Sequence, residues 1–389
     1  MFKKIKYLSL PLLLIGVISC KKPFQPAIIS SANNYLVVEG LINSGSDSTF
    51  IKLSRTVKLS DSVRTNIEKG ATVTVEGAGF SRSLNEITPG VYATAAMNLN
   101  PANKYHLLLK LSNGQQYVSD DAEVKISPPV DTISYTKNSE GIQINASSHD
   151  PGNNTRYYRY DYDETWKFHA KYLVEYEAVG DDIVPRPIEN QIYICFGHRA
   201  SSVVLLASTV KLANDVASNI PITQILSSSE KISMRYSILV RQYALTREAY
   251  EFWENLKKNT EQLGSIFDAL PSELKGNIHN VANAGEPVIG YISVGTVQTK
   301  RLFIDRDELP DSYLLKYPYE GCTQDTTLFY NPQTRVEEVK EYLLTKLFLP
   351  TFSIPGPRAI PIGYGRTSYE CGDCTIRGTK KQPAFWKDK

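Results

Sequence analysis

The sequence predicts a mostly β protein, with an N-terminal immunoglobulin-like β-sandwich followed by a larger β-rich domain that carries a helical insertion. Short segments such as residues 50–55 alternate apolar and polar side chains, which is the period of a half-buried strand. Turn signals such as Ser112, Asn113 and Gly114 separate these segments at the spacing of a β-sandwich. With 42% hydrophobic and 22% charged residues, the chain has a globular composition, and its 389 residues allow two domains.

The first domain is predicted to cover residues 33–128. The tandem prolines Pro128 and Pro129 end it, because proline supplies no backbone donor and stiffens a linker. Its predicted strands are residues 35–40, 50–55, 71–76, 90–92, 105–109 and 116–119.

The second domain is predicted to cover residues 129–389. One strand in it, residues 156–166, is rich in aromatic residues. In extended form its aromatic side chains Tyr158, Tyr160, Tyr162 and Trp166 share one face, and Arg159, Asp161 and Asp163 share the other. The other strands predicted here are residues 130–135, 141–146, 191–196, 201–206, 232–243 and 288–294.

One helix is predicted, near residues 246–263. Thr246 is a suitable N-cap, and Glu248 lies in the first turn, where the helix dipole favours a negative charge. The stripe that we expect to be buried follows helical spacing and consists of Ala249, Phe252, Trp253 and Leu256. A helix with this stripe is expected to be structural.

The C-terminal tail is expected to be irregular, because residues 354–365 are rich in proline and glycine. Four cysteines lie in the second domain: Cys195, Cys322, Cys371 and Cys374. Outside the cytoplasm an even number favours disulfides, of which three pairings are possible, and a four-cysteine zinc site is the alternative. We expect one bridge between Cys322 and the Cys371/Cys374 pair, because a loose tail gains most from a covalent tie.

The first residues have the pattern of a lipoprotein signal peptide, residues 1–19. A head with Lys3, Lys4 and Lys6 precedes an apolar run, which ends at Ser19 and Cys20. An aliphatic residue, a spacer, a small residue and then cysteine form a bacterial lipobox. We therefore expect Cys20 to be the lipidation site and residues 20–32 to be a tether.

Charge and motifs argue against several classes of function. Removal of the three lysines of the signal peptide leaves 40 Lys+Arg against 41 Asp+Glu, so a nucleic-acid partner is not expected. No catalytic residues, metal ligands or cofactors are predicted, because the five histidines form no HExxH pair and no phosphate-binding loop is present. Residues 290–295 have a spacing one residue too long for a nucleophile elbow. Two acidic loops offer oxygen ligands for calcium, one with Asp150, Asn153 and Asn154 and one with Asp305, Asp307 and Glu308. Neither has the spacing of an EF-hand, and both are interpreted as solvated turns.

Several blocks together resemble a family of Gram-negative lipoproteins known as domain of unknown function 4249. They are residues 35–42, 71–75, 89–92, 236–246, 248–253, 263–268, 276–278, and 371–378 with Pro383, Phe385 and Trp386. The resemblance implies an outer-membrane, lipid-anchored protein that accompanies a TonB-dependent transporter barrel, and it implies no catalysis. Lys21 and Lys22 follow the cysteine where surface-exported relatives carry acidic residues, so both the cell surface and the periplasmic face remain open.

Two functions are consistent with these observations. The first is an accessory or binding subunit of a TonB-dependent nutrient transporter, anchored in the outer membrane. The second is a structural or assembly lipoprotein of an envelope complex without a ligand of its own. An enzymatic function is not expected, because no set of residues supports one.

Overall fold

A computed structural model describes residues 34–57, 66–261 and 274–388, whose regular secondary structure is mostly β-strand. The predicted signal peptide, the expected lipidation site Cys20, the predicted tether and the predicted helix end near Leu263 lie outside the described residues. No helix in the described ranges is long and apolar enough to cross a bilayer.

The strands up to residue 129 are β1 (Leu36–Asn43), β2 (Thr49–Arg55), β3 (Asn66–Ile67), β4 (Thr72–Gly77), β5 (Phe80–Thr88), β6 (Val91–Thr94), β7 (Lys104–Lys110), β8 (Gln116–Ser119) and β9 (Ala122–Lys125). Those that follow, up to the main helix, are β10 (Val130–Asn138), β11 (Gly141–Asp150), β12 (Tyr157–His169), β13 (Tyr176–Val179), β14 (Asp182–Pro185), β15 (Ile194–Ala200), β16 (Leu205–Ser208), β17 (Asp215–Leu226) and β18 (Arg235–Ala244).

After helix α1 (Arg247–Glu261) come β19 (Ile278–Asn280), β20 (Ser293–Gly295), β21 (Val297–Asp305), β22 (Asp325–Leu328), β23 (Leu349–Pro355), β24 (Pro361–Thr367) and the short helix α2 (Tyr369–Gly372). Single helical turns lie at Ile188–Asn190, Glu230–Ile232, Arg306–Glu308, Val339–Leu344, Pro357–Ala359 and Cys374–Ile376.

The first part of the fold is a closed ring of eight strands, in the order β7-β4-β5-β6-β2-β1-β20-β9 and back to β7. The mostly β prediction is therefore confirmed, but the two separate sheets of an immunoglobulin-like sandwich are not seen here. Closure pairs the backbone N–H and C=O groups that the edge strands of two open sheets would leave unpaired. We call this ring the barrel.

The barrel takes a strand from beyond the predicted boundary at Pro128 and Pro129. Strand β20 pairs in parallel with both β1 and β9, and without it the ring would be open. The barrel core also includes Ile278, Val288 and Ile292, which follow the helix in sequence. Residues 33–128 are therefore not a self-contained unit, because their core and their closure both depend on residues near 278–295.

Glycine allows the closing segment to approach β1. Gly290 has φ of +145°, and a Cβ there would lie 2.2 Å from the carbonyl oxygen of Val38. The segment pairs with β1 through a bond from the Val38 N–H to the Ile289 oxygen at 2.8 Å. The sequence that superficially resembles a nucleophile elbow, with Ser293, is therefore part of the barrel wall.

Strands β3 and β8 pair with barrel strands and β19 pairs with β8, whereas β10 to helix α1 and β21 to residue 388 form the second body. Sheet β10-β11-β17 packs on sheet β15-β12-β18-β21, with β16 added to β12, and one core joins them. The aromatic strand β12 has the predicted alternation: Tyr158, Tyr160 and Tyr162 are buried in this core, and Asp161 and Asp163 are partly exposed on the other face.

Helix α1 begins as predicted, since the N–H of Ala249 bonds the hydroxyl of Thr246 at 3.2 Å. The predicted buried stripe is correct for Ala249 and Phe252, whereas Trp253 and Leu256 are only partly buried. The α1 helix lies over β12 and β16 and also contacts the barrel through the ring of Tyr291.

The expectation of an irregular segment at residues 354–365 is wrong. Strands β23 and β24 pair there, and β22 completes a three-stranded sheet. The glycines make the sheet possible, because a Cβ at Gly363 would lie 2.1 Å from the Thr327 oxygen. Pro355 and Pro361 stand at strand ends, where a missing donor is tolerated.

Candidate functional site

An open depression of about 560 Å³ lies on the surface of the second body. It combines aromatic, cationic and anionic side chains from three segments that are distant in sequence: β12, the turn before β18, and the chain between β21 and β22. Its lining residues are Trp166, Ser229, Glu230, Lys231, Lys316, Tyr317, Pro318 and Glu320.

Trp166 forms the aromatic floor on the β12 side. It pairs with Gly197 on β15, where a Cβ would lie 2.4 Å from the indole ring. Only glycine at that position leaves room for the ring. The Nζ of Lys231 lies 5.3 Å from the ring centroid, within the range of a cation–π contact.

A buried carboxylate lies behind the floor. Glu164 is 2% exposed, and it accepts a hydrogen bond from the Tyr236 hydroxyl at 2.8 Å and one from the Nζ of Lys231 at 2.5 Å. Burial and then the Glu164 charge raise the pKa of Tyr236 well above its ordinary value. Lys231 therefore neutralises the acid and covers the indole at the same time.

A second ion pair holds the opposite wall. Arg377 donates to the Glu230 carboxylate at 2.7 Å and to the Tyr319 hydroxyl at 3.0 Å. The Tyr319 hydroxyl in turn donates to the backbone oxygen of His169. Burial is the main cause that raises the pKa of Tyr319, and the Glu230 charge adds to it. This wall is thus fixed by a residue from the C-terminal tail.

A row of rings continues from the depression over the adjacent surface. The centroid of His169 lies 5.2 Å from that of Tyr193 and 5.5 Å from that of Tyr317, and Tyr317 stacks on Tyr319 at 5.5 Å. Tyr193, His169 and Tyr317 are partly exposed. They give the depression a wide aromatic rim, and Lys316 and Glu320 add exposed charges to it.

Two disulfides fix these walls. Cys322 is joined to Cys371, which agrees with the predicted bridge to the Cys371/Cys374 pair, and Cys195 is joined to Cys374. Cys322 follows the lining segment, and Cys195 lies on β15 opposite Phe168. The four cysteines therefore form two pairs, and not the alternative four-cysteine zinc cluster.

The acidic loops that the sequence offered have structural partners. Asp305, Asp307 and Glu308 bring carboxylate oxygens within 4.8 Å of one another, but Asp305 pairs with Arg235 at 3.1 Å and Glu308 accepts from the Tyr135 hydroxyl at 2.8 Å. At the other loop, the carboxylate of Asp150 accepts backbone N–H groups from the turn that follows it.

The histidines are dispersed among the described residues. Three of them pair with aspartates: His106 with Asp121 at 2.8 Å, His149 with Asp131 at 2.7 Å, and His279 with Asp120 at 3.0 Å. His169 bonds the backbone oxygen of Ala170 at 2.6 Å, and His198 is exposed.

Sequence reasoning noted Trp166 as part of an aromatic strand but missed the depression itself. Lys231 and Tyr317 are far from it along the chain, and they carry no spacing pattern that links them to it. A tryptophan beside an acidic residue in an otherwise buried strand, at Glu164 and Trp166, was the available signal.

Comparisons with known proteins give a family and little else. No curated protein matches the chain significantly. Among solved structures, the chitinase ChiA74 from Bacillus thuringiensis is similar over 48% of this chain and 30% of that chain, at 12% identity and with a TM-score of 0.15. A likeness this slight carries no argument about fold or activity. The model of the domain of unknown function DUF4249 matches residues 21–301, which is more than half of the chain. The chain therefore belongs to the DUF4249 family.

Proposed function

We propose that the protein is a lipid-anchored accessory or binding subunit of a TonB-dependent nutrient transporter in the outer membrane. The lipobox that ends at Cys20 supports the anchor, and a transporter partner is what the family resemblance implies. The second body supplies the surface that recognises the partner or its ligand.

One observation carries the choice of recognition over catalysis. The ionic groups at the base of the depression already neutralise one another: Lys231 with Glu164, and Arg377 with Glu230. A general base or a nucleophile needs a group that is free to exchange a proton, and these pairs are held as salt bridges. An open, disulfide-braced surface of aromatic and charged residues instead suits binding.

The anchor is tested with Cys20→Ala, compared with Ser19→Ala, which keeps a small residue before the cysteine. We expect the Cys20 variant to leave the membrane fraction and the Ser19 variant to stay with the outer membrane. Mass spectrometry of the wild-type protein should show acyl groups on Cys20. An unacylated wild-type chain that still fractionates with the outer membrane would contradict the anchor.

The partner is tested by crosslinking in intact cells and purification in mild detergent. Charge reversal at the rim, Lys316→Glu with Glu320→Lys, should reduce the recovery of a transporter barrel. The matched control reverses two exposed charges elsewhere on the second body, Lys211→Glu with Glu140→Lys, and should leave it unchanged. Equal recovery from both variants would show that the depression is not the contact.

A structural or assembly lipoprotein is the second candidate. The basic residues Lys21 and Lys22 favour it, since they differ from the acidic residues of surface-exported relatives. Recovery of periplasmic or peptidoglycan-bound proteins alone, without a transporter barrel, would support this candidate over the first.

A further inference from the structure

The three parallel strands of the barrel give it two functionally different ends. Strands β1, β20 and β9 run in the same direction, with Leu41 beside Ser293 and Val294 beside Val124. We call the end where β1 begins, beside Asn34, the proximal end, and the end where β1 finishes the distal end. Because β9 and β20 also finish at the distal end, the connections from β9 to β10 and from β20 to β21 leave the barrel there.

The distal end is occupied by the second body. Ser127 is held there by two hydrogen bonds: its hydroxyl donates to the Thr296 oxygen at 2.7 Å and accepts from the Ala244 N–H at 2.8 Å. A polar cleft of about 370 Å³ lies alongside, with Asp121, Glu123 and Lys125 among its lining residues. The distal end therefore carries charged side chains and is attached to the second body.

The proximal end also carries exposed apolar side chains. Ile67 is 43% exposed, Ile87 is 56% exposed and Val281 is 61% exposed. All three lie in proximal elements: Ile67 in β3 beside the end of β2, Ile87 at the bulge before the turn to β6, and Val281 bonded to the start of β8.

The charges at the proximal end suit a lipid surface. Two of its described carboxylates are engaged within the barrel, Glu68 with Arg55 at 2.5 Å and Glu86 with the N–H groups of Gly70 and Gly90 at 3.0 and 2.7 Å. Lys69 and Lys110 are exposed there. Lysines beside isolated apolar tips favour contact with lipid phosphates and the upper acyl region.

The chain also leaves the barrel toward its anchor at this end. The Asn34 oxygen accepts from Arg55 at 2.9 Å, which fixes the exit point beside the end of β2. Residues 20–33 span at most about 50 Å when fully extended, whatever conformation they adopt. The tether therefore enters the barrel at the proximal end and keeps the acylated cysteine within about 50 Å of it.

We propose that the proximal end of the barrel rests on the lipid surface that holds the Cys20 acyl chains, and that the barrel acts as a spacer. The second body and its depression then stand off the bilayer by the barrel height, about 20 Å for strands of this length and ordinary tilt. The inference rests on the anchor of the proposed function but not on the identity of the partner.

The test uses the acylated, full-length protein in vesicles of phosphatidylethanolamine and phosphatidylglycerol. Two exposed serines form a matched pair: Ser112→Cys in the proximal hairpin and Ser46→Cys in the distal turn after β1. Each new thiol receives the same fluorophore without reduction of the native disulfides. A lipid with a headgroup quencher then measures the distance of each label from the surface.

We expect strong quenching at Ser112 and about threefold weaker quenching at Ser46, because the two labels differ by about 20 Å in height. Adding Ile87→Glu should weaken the quenching at Ser112, whereas Phe50→Glu, which alters an equally exposed side chain on the barrel wall, should not. Equal quenching at both sites, or stronger quenching at Ser46, in protein that stays on the vesicles would overturn the orientation alone. Acylated protein that fails to bind vesicles would overturn the anchor and the orientation together.

Discussion

Replacement of Lys231 by methionine removes the cation that neutralises the buried Glu164 carboxylate. The Glu164 side chain is 3% exposed and that of Lys231 is 22% exposed, so the lysine is also the cover that keeps water from the acid. Loss of one partner of a buried pair costs about 3–5 kcal/mol. The hydrogen bond from Tyr236 remains and offsets about 1 kcal/mol. We therefore expect Lys231→Met to destabilise the second body by about 2–4 kcal/mol.

Thermal unfolding followed by tryptophan fluorescence is a suitable assay for the stability of the second body, because Trp166, Trp253 and Trp386 all lie in it. The expected loss corresponds to a fall of roughly 5–15 °C in the transition temperature. The control Lys316→Met, at an exposed rim position, should change stability by less than about 0.5 kcal/mol.

The double variant Glu164→Gln with Lys231→Met isolates the charge from the packing. It should recover at least half of the stability that Lys231→Met loses, because the buried group is then neutral. If Lys231→Met is no more destabilising than Lys316→Met, or if the double variant is no more stable than Lys231→Met, the carboxylate does not depend on this lysine and the reasoning fails.

Three further predictions concern the barrel, the helix and one histidine. A chain of residues 33–128 alone should show no cooperative unfolding by circular dichroism, whereas addition of the segment that supplies β20 should restore it, because that strand closes the ring. Phe252→Ala should cost about 3–5 kcal/mol and Trp253→Ala clearly less, by thermal unfolding, since only Phe252 is fully buried. The hydrogen bond that His149 donates to the Asp131 carboxylate raises the pKa of His149, so the stabilisation is complete below the ordinary pKa and is lost as the pH rises through the raised one. An NMR titration of His149 should show the raised pKa, and Asp131→Asn should abolish the shift.

Local patterns were sufficient for much of the fold. The alternation along β12 was readable because side chains of a strand point to opposite faces in turn, so the buried tyrosines follow from the sequence alone. The Thr246 cap and the start of helix α1 were also readable, because capping involves only residues within one helical turn. The strands between residues 349 and 367 were not readable, because proline and glycine in a sequence predict that a strand breaks. Here the glycines belong to strands that pair closely, which only the tertiary structure shows.

The sequence by itself determined the mostly β class and the even set of cysteines and predicts a lipobox at Cys20, because each of these depends on residues that are adjacent or on composition. The tertiary structure alone decided that β20 closes the barrel between β1 and β9, which of the three disulfide pairings forms, and that Trp166, Lys231 and Tyr317 line one depression. These features join segments tens to hundreds of residues apart. Strand partners and register over such separations are chosen by the burial of a common core, which no local period encodes.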